Sequence, residues 1–176
     1  FNRLSKISEP AFQAWIRILR SVLGSRLVLK TTELDDEATR RRVLDRFAQA
    51  DIDHERIQLQ GKTPWSEHMA AFNQIDIALD PFPHGGGVTS LEGLLMGVPV
   101  VTLRWRSIPG RISASILTTL EMTDWIAETE EDYVRLAILK AKEIGALVHL
   151  RGTLRQRFQA SVIGDAKAYL KVVEAE

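Results

Sequence analysis

Residues 79–92 constrain the fold of this chain more than any other segment. There a short apolar strand runs into three consecutive glycines and then into an apolar helix. Glycine lets the backbone adopt conformations that a Cβ atom would forbid, and it lets the backbone approach a bound molecule closely. The first turn of the helix leaves its N–H groups unpaired and carries the positive end of the helix dipole. This layout favours a phosphate site, with Glu92 one turn further on as an acceptor for sugar hydroxyls.

A purely structural interpretation of the same segment stays open. Thr89 and Glu92 have the spacing of a capping box, in which two side chains satisfy the first N–H groups of their own helix. The glycines match neither the Walker A pattern nor the G-x-G-x-x-G fingerprint of dinucleotide-binding folds. The spacing alone therefore does not decide between a ligand site and a helix cap.

Short apolar runs alternate with helical patterns along the chain. The runs predict strands at 26–30, 57–60, 75–79, 98–103 and 125–127. Apolar spacings of three and four predict helices at 11–23, 36–50, 65–72, 89–96, 111–120, 130–144, 147–158 and 166–174. This alternation predicts an α/β fold with a Rossmann-like parallel sheet, helices on both faces and extra C-terminal helices. Ligands bind beyond the carboxyl ends of strands in such sheets, which is where the glycine segment lies.

The composition is that of an ordinary globular protein. The 176 residues are 45% hydrophobic and 26% charged, and they predict a single domain over residues 1–176. A net charge of zero gives no general attraction to nucleic acid or to a membrane, and no apolar run reaches the length of a membrane span. The absence of cysteine excludes disulfides and thiolate chemistry and suits the cytoplasm. Because the chain begins with Phe1, we expect it to be part of a longer protein.

The remaining candidates for chemistry are few. The histidines at 54, 68, 84 and 149 have no zinc-site spacing and no H-E-x-x-H motif occurs, so we expect no metal site. The G-x-S-x-G elbow is also absent, which argues against nucleophilic hydrolysis. His68 is predicted on the ligand edge, where its ring can stack on a base or simply face solvent. Lys6 lies before a helix start, where a lone lysine is ordinarily a solvated charge. These alternatives stay open on residue type alone.

Four segments carry a family resemblance: FNRLSKISEP, TPWSEH, LDPFPHGGGVTSLEGLLMGVPVVTL and GRISASIL. In this order they resemble the C-terminal half of the O-GlcNAc transferase family, and they look closest to bacterial members that follow tetratricopeptide repeats. The likeness covers nearly the whole chain. It implies a GT-B glycosyltransferase whose C-terminal domain holds a UDP-sugar, with UDP-GlcNAc as the expected donor. It also implies transfer to Ser or Thr of a protein acceptor with inversion, and no metal or other cofactor.

The resemblance implies roles for particular residues. Lys6 corresponds to a catalytic lysine at the donor diphosphate, where it would stabilise charge on the UDP leaving group. Thr63 and His68 correspond to positions that hold the uracil, by backbone contact and by ring stacking. Glu92 corresponds to an acidic residue that binds the ribose. The loop and helix start that receive the diphosphate correspond to Gly86, Gly87, Val88, Thr89 and Ser90.

The chain departs from the animal members of the family at the site. Gly87 and Val88 stand where those members have His-Thr, so backbone N–H groups and Thr89 would replace two side-chain donors. Trp65 replaces a lysine that contacts the ribose. These departures leave open a catalytically degenerate interaction module behind tetratricopeptide repeats. A UDP-GlcNAc 2-epimerase is a further alternative, although the carboxylate and histidine set that it needs around the hexose is not identifiable.

The resemblance also predicts what lies outside these residues. In the family, the first strand of this domain ends just before the position of Phe1, and the acceptor site and any catalytic base lie largely in the N-terminal half. We therefore expect a central strand, the N-terminal GT-B half and the repeats to lie outside residues 1–176. We also expect no transfer by these residues alone.

Overall fold

The computed structural model describes residues 1–165 together with residues 167, 171 and 174. In this part of the chain, strands and helices alternate and are followed by two consecutive helices. The strands are β1 (Leu27–Lys30), β2 (Ile57–Gln60), β3 (Ala78–Leu79), β4 (Val100–Leu103) and β5 (Ile126–Ala127). The helices are α1 (Glu9–Ser21), α2 (Glu37–Ala48), α3 (Trp65–Ala71), α4 (Val88–Leu95), α5 (Ile112–Thr119), α6 (Glu130–Lys142) and α7 (Ile144–Ala160).

The strands form two parallel sheets. In the first sheet, β1 pairs with β2, with Leu27 opposite Ile57. In the second sheet, β4 lies between β3 and β5, and both pairings are parallel. Helix α6 packs on α1 and on strands β4 and β5. Parallel strands with helices packed against them confirm the predicted α/β class.

A cavity of about 760 Å³ lies between the two sheets. Its lining includes residues 27–29 of β1 and residues 75–80 around β3, and it also includes Phe1 and Asn2. Neighbouring strands of one sheet are about 4.8 Å apart, and β1 and β3 do not pair. The two sheets are therefore separate in the described part of the chain, and the cavity lies between them.

The third strand is shorter than the predicted 75–79, because only Ala78–Leu79 pairs with β4. The carbonyl of Ile75 does not join a ladder. It accepts a hydrogen bond from the Arg151 guanidinium of α7 instead. The Ile75 carbonyl is thus held by α7, through a long-range contact that the local pattern of residues 75–79 cannot reveal.

The predicted C-terminal helices can be compared with the structure in part. The predicted helix 147–158 is present as α7, which begins earlier and ends later. Of the predicted helix 166–174, residues 167, 171 and 174 are described, and the other positions lie outside the described residues. No helix in the described part of the chain is both long and apolar enough to cross a membrane.

Candidate functional site

The glycine segment forms the loop 80–87, which joins the carboxyl end of β3 to α4. Gly87 precedes the helix with φ of +76°, a left-handed conformation that favours glycine. Helix α4 therefore begins at Val88, and Thr89 is its second residue rather than its cap. The capping-box interpretation of Thr89 and Glu92 is wrong.

The first turn of α4 offers two backbone N–H groups to a ligand. Ser90 N already donates to the carbonyl of Gly87, at 3.0 Å. Within the described residues, the N–H groups of Val88 and Thr89 have no acceptor. The Thr89 hydroxyl donates to Asn2 Oδ1 at 3.2 Å. Of the predicted diphosphate residues in this turn, Val88 and Thr89 therefore have the available donors.

The Ser90 side chain faces the protein interior, where it belongs to a buried cluster around Asp80. Asp80 Oδ1 accepts from Ser90 Oγ at 3.1 Å and from Gly86 N at 3.2 Å, and Oδ2 accepts from Thr102 Oγ1 at 3.0 Å. Ser90 Oγ also lies 2.9 Å from Ser113 Oγ. Burial raises the pKa of the Asp80 carboxyl, and the hydrogen bonds that it accepts oppose that rise. The cluster thus holds the loop 80–87 in place from the side that faces the protein interior.

The local sequence does not mark Asp80 as a functional residue. Its signal was an acidic residue directly after an apolar strand, followed by two prolines within three positions. An acidic residue in this position can be recognised as a buried carboxylate only when its hydrogen-bond partners are known. Two of these partners, Thr102 and Ser113, lie 22 and 33 residues further along the chain. Spacing along the chain does not reveal them.

Lys6 lies next to the same loop, although it is near the beginning of the chain. Its Nζ donates to Gly85 O at 3.0 Å and to Gly86 O at 3.5 Å, although the chain separates these residues by 79 and 80 positions. The turn Leu4–Lys6 precedes α1, whose N-cap Ser8 donates its hydroxyl to the Phe82 carbonyl. The start of α1 is therefore fastened to the loop, and the Lys6 ammonium is held beside the glycines.

His68 and Glu92 meet next to the first turn of α4. His68 Nε2 lies 3.2 Å from Glu92 Oε2, and both side chains are mostly buried. The Trp65 indole stacks on the His68 ring, with centroids 5.8 Å apart and an interplanar angle of 15°. Because Trp65 is 66% exposed, the pair presents an aromatic surface to solvent. Flat aromatic surfaces of this kind suit stacking with a nucleotide base.

Thr63 lies just before α3, which carries His68. Its Oγ1 is buried and has no hydrogen-bond partner among the described residues. A buried hydroxyl of this kind is uncommon, because buried polar groups are ordinarily hydrogen-bonded. The structure therefore places a polar group without a partner at a position that the sequence predicts to hold a base.

The site thus combines a cation, two free N–H groups, a carboxylate and an aromatic surface at the carboxyl end of a parallel strand. Anions bind helix N-termini, hydroxyls bind carboxylates and bases stack on aromatic rings. The arrangement suits a nucleoside with a diphosphate better than either group alone.

Comparison with known proteins identifies the family. Residues 1–173 match the profile of the family described as Glycosyl transferase family 41. The chain therefore belongs to glycosyltransferase family 41, as the resemblance predicted.

The chain is similar to longer proteins over almost its whole length. It is 35% identical over 175 residues to the probable UDP-N-acetylglucosamine–peptide N-acetylglucosaminyltransferase SPINDLY of Eustoma exaltatum subsp. russellianum, covering 99% of this chain and 19% of that protein. It is 27% identical over 175 residues to the UDP-N-acetylglucosamine–peptide N-acetylglucosaminyltransferase of Caenorhabditis elegans, covering 99% of this chain and 15% of that protein. The chain thus spans less than a fifth of the length of these relatives.

A solved structure is similar as well. A mutant of the Thermobaculum terrenum O-GlcNAc transferase superposes with a TM-score of 0.90 at 34% identity, over 99% of this chain and 34% of that one. This match confirms the predicted fold, the Rossmann-like C-terminal domain of a GT-B glycosyltransferase.

Proposed function

We propose that this chain is the donor-binding half of an inverting glycosyltransferase that moves GlcNAc from UDP-GlcNAc to Ser or Thr of a protein. The observation that carries the proposal is the position of the Lys6 ammonium, 3.0 Å from the carbonyl of Gly85 in a loop that leads into a helix N-terminus. The printed names of the relatives, which are peptide N-acetylglucosaminyltransferases, support this donor and this kind of acceptor.

The proposed roles follow from the donors and acceptors of the site. The diphosphate lies on the N–H groups of Val88 and Thr89, and Gly86 and Gly87 form the turn that presents these groups. When the bond between the sugar and the diphosphate breaks, negative charge grows on the UDP leaving group. Lys6 stabilises that charge and so lowers the barrier.

The nucleoside occupies the other end of the site in this proposal. Glu92 accepts hydrogen bonds from the ribose hydroxyls, and His68 stacks on the base together with Trp65. Thr63 contacts the base edge. No metal or cofactor takes part, because Lys6 and the helix N-terminus supply the positive charge that the diphosphate needs.

The remaining parts of the reaction lie outside residues 1–176 in this proposal. The N-terminal GT-B half provides the acceptor site and the catalytic base, and tetratricopeptide repeats precede it. Because this chain has no cysteine, a reducing cytoplasm suits it. Residues 1–176 by themselves are expected to transfer no sugar.

The test is to incubate the protein at its natural length with UDP-GlcNAc labelled in the sugar and with a protein extract as acceptor. We expect label on protein, loss of that label in Lys6→Ala, and full activity in Lys142→Ala, which removes an exposed lysine at the end of α6. EDTA should not reduce the transfer. Labelled free ManNAc would indicate an epimerase instead, and an unconsumed donor would indicate an interaction module.

A further inference from the structure

The Asp80 carboxylate is buried directly beneath the glycine loop. Only 3% of the residue is exposed, and among the described residues no Lys, Arg or His forms an ion pair with it. Its partners are instead the N–H group of Gly86 and the hydroxyl groups of Ser90, Thr102 and Ser113. Burying a carboxylate without a cation is unfavourable, so a packing role alone would be met better by an apolar side chain.

One peptide unit connects Asp80 to Lys6. The carbonyl of Gly85 and the N–H of Gly86 belong to the same planar peptide group, and in a trans peptide they point in opposite directions. The N–H donates to Asp80 Oδ1 at 3.2 Å, and the carbonyl accepts from Lys6 Nζ at 3.0 Å. The carboxylate therefore sets which face of this peptide group is turned toward the lysine.

The surroundings of Gly86 make this orientation specific. A Cβ atom built on Gly86 would lie 2.2 Å from Ser90 Oγ and 2.7 Å from Asp80 Oδ1, so the loop is packed tightly against the cluster. Glycines on both sides of the peptide bond would otherwise let the unit rotate easily. A rotated unit would turn its carbonyl toward the carboxylate and remove the nearer of the two acceptors that hold the lysine.

We propose that Asp80 is a positioning residue that holds Lys6 in place through the Gly85–Gly86 peptide group. The inference rests on the proposed function, because it gives Lys6 its task at the diphosphate. Asp80 itself does not touch the donor. It acts by supplying a fixed hydrogen-bond acceptor below the loop. This role requires an acceptor oxygen atom at position 80, but it does not require a negative charge there.

The test is calorimetric titration of the natural-length protein with UDP and with uridine. Asp80→Ala removes the acceptor, and we expect it to weaken UDP binding about tenfold while uridine binding stays unchanged. Asp80→Asn keeps an acceptor oxygen at the same position and should restore most of the affinity. Asp45→Ala, at an exposed position of α2, is the matched control and should bind like the wild type.

A double variant separates positioning from general damage to the fold. If Asp80 acts through Lys6, then Asp80→Ala should weaken UDP binding no more than about twofold when Lys6 is already alanine. An equal loss in both backgrounds, or an equal loss for uridine, would overturn the inference. If the wild type and Asp80→Ala bind UDP equally well, the inference is overturned and the proposed function still stands. A wild type that binds no nucleoside diphosphate would overturn both.

Thr102→Val serves if Asp80→Ala does not fold. Thr102 donates to Asp80 Oδ2, on the side of the carboxylate away from Gly86, so the substitution loosens the carboxylate without touching the loop. We expect a smaller loss of UDP affinity that again disappears in the Lys6→Ala background. Unchanged affinity in Thr102→Val, or a loss that persists without Lys6, would count against the positioning role.

Discussion

Glu92 Oε2 lies 3.2 Å from His68 Nε2, and this contact ties α4 to α3 at the candidate site. One carboxylate oxygen of Glu92 is thereby engaged by the imidazole, and the other has no hydrogen-bond partner among the described residues. The contact also fixes the face of the His68 ring on which Trp65 stacks. The two residues proposed to hold the nucleoside therefore depend on each other.

Replacement of Glu92 should weaken nucleoside binding itself. Glu92→Ala removes the acceptor for the ribose hydroxyls and the partner of His68, so we expect uridine and UDP to lose affinity by a similar factor, about tenfold. Glu67→Ala, at an exposed position of α3, is the control. Calorimetry with both ligands measures the effect. A loss of UDP affinity with unchanged uridine binding would indicate that Glu92 contacts the phosphates and not the ribose.

Gly86 should not tolerate even an alanine. The added methyl group would overlap Ser90 Oγ and Asp80 Oδ1, at 2.2 and 2.7 Å from the Cβ position. We expect Gly86→Ala to lower the free energy of unfolding by about 1–3 kcal/mol and to reduce UDP binding severely.

Gly152→Ala is the matched control for Gly86→Ala. A Cβ atom on Gly152 meets no atom within 4 Å, and the residue lies inside α7. Alanine there should raise the stability by about 0.5–1 kcal/mol, because it favours the helix. Thermal unfolding measures both variants, and a Gly86→Ala protein as stable as Gly152→Ala would contradict the packing described for the loop.

The Tyr133 hydroxyl connects the site to the core. It donates to the backbone carbonyl of Asp80 at 2.8 Å and accepts from Trp15 Nε1 at 3.1 Å. Burial raises the pKa of Tyr133, so the phenol stays protonated and remains a donor. Tyr133→Phe should lower the free energy of unfolding by about 1–3 kcal/mol, because two buried groups lose their partner. A melting temperature equal to that of the wild type would show that these hydrogen bonds add little.

The stability of the protein should depend on pH through Asp80. Burial raises the pKa of its carboxyl, so the folded protein binds this proton more tightly than the unfolded chain does. Where the folded state binds more protons, the free energy of unfolding falls as the pH rises. We therefore expect wild type to lose stability relative to Asp80→Asn as the pH rises from about 4. Thermal unfolding at several pH values measures the stability of the wild type relative to Asp80→Asn. A relative stability that stays constant, or that rises with pH, would contradict the raised pKa.

The sequence predicted the parts of the fold that local pattern determines. The strand, the glycines and the helix around Gly87 have short-range signals, and the structure contains all three with boundaries shifted by a few residues. The cap assignment failed at Thr89, because the left-handed turn at Gly87 starts the helix one residue earlier and takes the cap position. Side-chain spacing alone does not encode that backbone geometry.

The site was predictable only where family resemblance supplied the long-range information. Nothing near Lys6 in the sequence indicates that its ammonium reaches a loop some 80 residues away, and the local pattern favoured a solvated charge. The buried cluster around Asp80 was missed for the same reason, since its partner Thr102 comes from a different strand. Ser90 was expected at the diphosphate, yet its side chain points inward to that cluster.

The most direct test of the account is calorimetric titration of the natural-length protein with UDP, and then with GDP and ADP. We expect tight binding that prefers UDP and that weakens in both Lys6→Ala and Glu92→Ala. A folded protein that binds none of the three nucleotides would contradict the account.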